Sequence, residues 1–215
     1  MRPKKIEQIF TNGIVDPFEK SSLTLLSDME NKSIKLSKEE KLMISKLQSG
    51  ELPLIIEVLR EVRVNGSVRI IPYLFEIVAS GEFAPVEDEI IRLMSDIKKK
   101  DSVPYIVESI KKYNFKEQTA RIVAICWQSR LDFSAYLPVF AEFFFQNDYQ
   151  TSIEAFTVIE ESLHNATVAQ RNECLTILEK NVSRISDTLK PLYNELRKLV
   201  KSSLDMTIGS SRSTS

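Results

Sequence analysis

Residues 102–110 read SVPYIVESI, an apolar–proline pair at the head of an amphipathic segment. Proline has no backbone N–H and holds φ near the helical value. It is therefore tolerated in the first helical turn and disfavoured in a helix interior. The pair marks where a helix begins. IIPYLFEIV from Ile70 and YLPVFAEFF from Tyr136 carry the same mark, and Pro72, Pro104 and Pro138 are spaced by 32 and 34 residues. A further step of 34 reaches Asn172, inside VAQRNECLTILEK, a helical segment without the proline.

A second series of helical segments falls between these marks: EDEIIRLMSDIKK from Glu87, EQTARIVAICWQS from Glu117, YQTSIEAFTVIEES from Tyr149 and SDTLKPLYNELRKLV from Ser186. A helix pair repeated every 30-odd residues predicts an all-α solenoid, in which stacking completes a core that one pair cannot bury alone. Upstream, Ser37 and Glu40 have capping-box spacing, Gly50 suits a helix stop, and Leu52, Ile55, Ile56, Leu59 and Val62 follow a helical period. About eleven helices are expected and no strand. The expected organisation is an arm over 1–16, one solenoid domain over 17–204 beginning with Leu23, Leu25, Leu26 and Met29, and a disordered Ser/Thr-rich tail over 205–215.

The phrases LPL (52–54), IPY (71–73), VPY (103–105) and LPV (137–139) resemble the first helix of a HEAT repeat. Val68-Arg69, Ile91-Arg92 and Ala120-Arg121 are loose echoes of the HEAT turn. Over about residues 37–203 the chain thus resembles the HEAT and armadillo-like repeat superfamily. The resemblance implies a right-handed α-solenoid (an α-α superhelix) of HEAT-like helix pairs.

Composition narrows the function. Net charge is −1, so no global field gathers nucleic acid or anionic membrane. Residues 51–160 hold 12 Lys+Arg against 17 Asp+Glu, a segment charge of −5 that disfavours a duplex-binding groove. The apolar-rich stretch 136–145, part of the aromatic stretch 136–149, carries a Pro and a Glu and is far too short to span a bilayer, and the basic start MRPKKIEQIF is followed by no signal-peptide pattern. Cys126 and Cys174 have neither disulfide nor zinc spacing, which fits a reduced, cytoplasmic setting.

Catalytic candidates are sparse. His164 is the single histidine and reads as a helix-end residue. Cys126 and Cys174 read as small core hydrophobes. Glu87, Asp88 and Glu89 suit a helix start, and Lys98, Lys99 and Lys100 suit the end of the same helix. No phosphate loop, nucleophile elbow or metal-binding HExxH occurs, so no catalytic residue, metal or cofactor is expected.

The expectation is a non-catalytic, cytoplasmic scaffold or adaptor whose second-series helices line a concave face. Arg92, Arg121, Gln128 and Glu154 are the expected exposed members, with the two arginines reading an acidic segment of a partner protein. Trp127, the one tryptophan, reads first as filler between repeats and second as a partner anchor. Two alternatives stay open: a HEAT-like DNA-alkylation-repair glycosylase, which needs a positive groove with an aromatic–acid site, and a self-assembling structural subunit. Neither nucleic acid nor membrane is an expected partner, and the oligomeric state is left open.

Overall fold

The computed structural model describes residues 36–210 apart from 114 and 147, with the side chains of 116, 146 and 206–210 left aside. The chain divides into two units, 1–38 and 39–215, and the described helices, apart from Lys38 at the start of the first, belong to the second. The expected arm, the helix expected from Pro17, and residues 211–215 of the expected tail lie outside the described residues.

The described chain is all-α, with ten α-helices: α1 (Lys38–Gln48), α2 (Leu52–Asn65), α3 (Ile71–Ser80), α4 (Ala84–Ser95), α5 (Val103–Lys112), α6 (Thr119–Gln128), α7 (Leu137–Gln146), α8 (Tyr149–Ser162), α9 (Val168–Lys180) and α10 (Lys190–Ser210). Short 3₁₀ turns lead into α3, α5, α6 and α7.

Proline stands within the first two positions of α2, α3, α4 and α5, and Pro138 is the second residue of α7. The missing N–H falls where a helix has no acceptor for it. A following proline disfavours helical φ/ψ, yet Ile71 and Val103 adopt −50°/−50° and −53°/−51°. Both side chains are buried, which favours the helical entry over the extended alternative. The third such proline in the sequence, Pro85, is the second residue of α4, which starts at Ala84, three residues ahead of the EDEIIRLM segment that signals it.

Helix ends follow local chemistry. Gly81 ends α3 at φ 68°, a left-handed value that favours glycine, and Gly50 follows α1 at φ 72°. Thr167 and Gln170 form a reciprocal capping box at the start of α9. Asp148 caps α8 by accepting from the Thr151 N–H at 3.0 Å. α10 continues to Ser210, past the Leu204 limit expected from composition. Extending an existing helix needs no new nucleus, so weak helix formers such as Ser202, Ser203 and Thr207 are carried along.

Each odd-numbered helix from α3 onward packs against the even-numbered helix that follows it: α3 on α4, α5 on α6, α7 on α8 and α9 on α10. The even-numbered helices also meet in succession, α2 with α4, α4 with α6, α6 with α8 and α8 with α10. Contacts with the next helix and the next but one are compatible with a helical repeat. The core between the rows holds Phe75, Leu74, Ile106, Phe133, Phe140 and Phe144, all essentially without solvent exposure. Phe133 meets Phe140 edge to face at 5.9 Å and Phe75 meets Phe115 at 5.7 Å, a geometry that suits the charge distribution of the rings.

Candidate functional site

Helix α6 determines where the site lies. It packs against α4, α5 and α8, and its residues Thr119, Ala120, Ile122, Val123, Ala124, Ile125 and Cys126 are buried. Arg121, Trp127 and Gln128 are its three exposed residues. Ala120 and Ala124 are one turn apart, and their small side chains leave a hollow between α4 and α8. The resulting depression holds about 560 Å³. Ile91, Ala120 and Ala124 form its floor, and Arg92, Ser95, Asp96, Arg121, Gln128, Gln150 and Glu154 supply polar groups.

Four residues singled out by sequence, Arg92, Arg121, Gln128 and Glu154, thus line one depression. The fifth, Trp127, adjoins it through a hydrogen bond from its Nε1 to Glu154 Oε2 at 2.8 Å. Trp127 is 37% exposed, so it stands at the surface and is not enclosed between helices. Ser95, Asp96 and Gln150 were not singled out by sequence. Ser95 and Asp96 occupy the last turn and C-cap of α4, one turn beyond Arg92, and Gln150 lies one turn before Glu154, so helical spacing from the named residues would have reached them.

The two arginines differ. Arg121 donates to Asp88 at 2.6 Å and to Gln118 at 2.9 Å. That hydrogen bond, then the charge of Arg121, and more weakly the charge of Arg92, hold the Asp88 carboxyl below the ordinary carboxylate value. Arg92 has no hydrogen-bond or ion-pair partner among the described residues and is exposed. The expectation of an equivalent pair reading one acidic segment is therefore refined: Arg121 already has its carboxylate, and Arg92 does not.

Other polar groups around the face are tied in place. Ser95 Oγ donates to Gln128 Oε1 at 2.8 Å, which joins α4 to α6. Gln150 Nε2 donates to Glu154 Oε1 at 2.7 Å. The acidic run of α4 diverges: Glu87 is buried, Asp88 pairs with α6, and Glu89 lies 3.4 Å from Arg63 of α2. The lysines expected to close the same helix serve its neighbours instead. Helix α4 ends at Ser95, so Lys98 and Lys99 lie beyond it; Lys98 donates to the Ser129 carbonyl at 3.0 Å and Lys99 to the Gly66 carbonyl. Those carbonyls belong to the C-caps of α6 and α2.

Cys126 and Cys174 are buried, and burial pushes both thiols up, Cys174 to about 12. Thiols so disposed are poor nucleophiles at neutral pH. His164 is exposed in the 3₁₀ turn Leu163–Asn165, near Asp132. At Asp132 burial pushes the carboxyl up, but bonds from Ser134 and Asn165 and the charge of His164 together bring it below its ordinary value. Of the aromatic stretch, Phe140, Phe144 and Phe145 are core and Tyr149 is exposed. Among the described residues no helix is long and apolar enough to cross a membrane. Compared with models of known protein families, with curated proteins and with solved structures, the chain matches none.

Proposed function

We propose that the chain is a non-catalytic interaction scaffold, a right-handed α-solenoid of HEAT-like helix pairs that binds a segment of another protein on its even-numbered helices. The observation that carries this reading is the depression across α4, α6 and α8, where residues 33 positions apart in sequence meet: Ser95 with Gln128 in its lining, and lining Arg121 with Asp88 beside it. Side chains presented in register on successive helices suit an elongated ligand lying across them. Arg92 is the group left open for a carboxylate, and its guanidinium fork keeps its charge at any physiological pH. A cytoplasmic setting accords with two free, buried thiols.

The test is an affinity capture from native lysate with the full chain and with Arg92→Glu. A defined protein retained by the wild type and lost by the folded variant supports the proposal. Equal retention by both places the interaction elsewhere.

A second reading, a DNA glycosylase, draws on the Trp127–Glu154 contact, since an aromatic–acid pair is what that chemistry needs. The depression itself opposes it. Its two arginines are matched by Asp96 and Glu154, and one of them is held by Asp88, so it offers phosphate no net positive field. Submicromolar, salt-sensitive duplex binding would favour this reading over the scaffold.

A further inference from the structure

The depression is not uniformly basic, and its two ends differ in kind. At the α8 side Glu154 is partly withdrawn from water, and both its oxygens accept from neutral donors, Trp127 Nε1 and Gln150 Nε2. Neutral donors orient a carboxylate without cancelling its charge. No Lys, Arg or His forms an ion pair with Glu154 among the described residues. Each carboxylate oxygen has a second lone pair, so capacity for a cation's N–H groups remains. The indole of Trp127, more than a third exposed, stands beside it. A carboxylate held against an aromatic ring suits a guanidinium or ammonium group, which gains from both the charge and the ring face. At the α4 side stands Arg92, the opposite charge, also without a partner among the described residues. Between the two lie Ala120 and Ala124, too small to obstruct a chain crossing α6.

We infer that the partner segment is zwitterionic: it sets a Lys or Arg side chain against Trp127 and Glu154, and an Asp or Glu side chain against Arg92. This rests on the scaffold reading and adds to it the half of the recognition that two arginines alone do not suggest. Neighbouring helix axes lie about 8–10 Å apart, so Arg92 and Glu154, on helices either side of α6, face each other across about 10–15 Å once their side chains reach inward. An extended segment covers that distance with about three to five residues at roughly 3.3 Å each. The base and the acid are therefore separated by that interval in the partner.

The test is selection of random dodecapeptides displayed on phage against the full chain, followed by titration of the best synthetic peptide. The chain has one tryptophan, so the fluorescence of Trp127 reports on this end of the depression alone. The expected result is enrichment of peptides with a base and an acid at that spacing. The best of them perturbs Trp127 fluorescence and binds at least tenfold more weakly to Glu154→Gln and to Arg92→Gln. Both substitutions keep a hydrogen-bonding side chain, and circular dichroism checks that both variants are folded. Glu154→Arg selects peptides with an acid where the wild type selects a base. Peptides that depend on Arg92 but bind Glu154→Gln unchanged overturn the inference and leave the scaffold reading standing. Selected peptides indifferent to every residue of the depression, or no selected peptide at all, overturn both.

Discussion

Near the ends of α2, α4 and α6, lysines reach backbone carbonyls; along α4, α6 and α8, side chains reach other side chains. Lys98 and Lys99 belong to the first group, with Ser129 and Gly66 as acceptors 31 and 33 residues away. Arg171 of α9 repeats the device farther along, donating from Nε to the carbonyl of Leu163, the C-cap of α8, at 3.2 Å. Asp88–Arg121, Ser95–Gln128 and Trp127–Glu154 belong to the second group. Helix-end carbonyls have no intrahelical donor, so a cation there answers a need that every helix has, whatever its sequence. Exposed side-chain pairs answer no such need. They gain little over water, and a partner's groups can replace them at small cost. The difference separates what holds successive helices together from what they present.

A side-chain pair withdrawn from water is the exception that tests this division. Glu40 of α1 is buried, and its carboxylate accepts from Arg69 at 3.0 Å and Ser67 at 2.5 Å. Arg69→Ala removes a hydrogen-bonded cation from that buried carboxylate, at an expected loss of about 2 kcal/mol, discounted from the larger cost of a fully buried pair because Arg69 is partly exposed. Urea denaturation measures it. The double variant with Glu40→Gln should lose less than the sum of the two single variants, since the charge that needed pairing is gone. A loss for Arg69→Ala within error of zero would mean that burial does not distinguish the pairs.

The next effect compares the two groups directly. Lys98→Ala is expected to cost about 1 kcal/mol, the range of a charge-assisted bond at a partly exposed site, and Gln128→Ala less than about 0.5 kcal/mol. The stability order should reverse in binding: Gln128→Ala weakens a peptide seated in the depression, and Lys98→Ala does not. Equal costs in both measurements would erase the distinction.

Much of this was legible in sequence, and the limits have physical reasons. Proline has one position in a helix where it costs nothing, so Pro72, Pro104 and Pro138 located helix starts directly. Helix α6 was readable in part: in an otherwise apolar segment, Arg121 and Gln128 were expected at the surface and are exposed, whereas Trp127, read first as filler because a large aromatic suits a core, is exposed as well. Pro85 was missed because EFAP lacks the apolar run that frames the other prolines. The Thr167–Gln170 box was missed because T-x-x-Q inside NATVAQ adjoins no strong period. The lysine contacts were assigned to the wrong helices because charge at a chain-local helix end says nothing of which helix packs alongside. That Arg121 is held while Arg92 is open depends on where Asp88 lies in space, and a linear pattern of arginines does not contain that.

The smallest expected effect concerns Asp88 itself. Arg121 donates to it and lowers its carboxyl below the ordinary value near pH 4. A carboxylate depressed in the folded state contributes stability that is complete above its unfolded pKa and is lost as pH falls through its folded pKa, so the pair acts at neutral pH and fails in acid. Both partners are exposed to solvent, so screening keeps the contribution small. Arg121→Gln should return the Asp88 carboxyl upward toward the ordinary value, with Arg92 alone holding it slightly down. NMR titration of the Asp88 side-chain carbon in the wild type and the variant measures this directly, and raising the salt should move the wild-type value the same way. If the titration midpoint does not move when Arg121 is replaced, the contact does not persist in solution. Arg121 would then be as open as Arg92, and the two would again be an equivalent pair for an acidic partner.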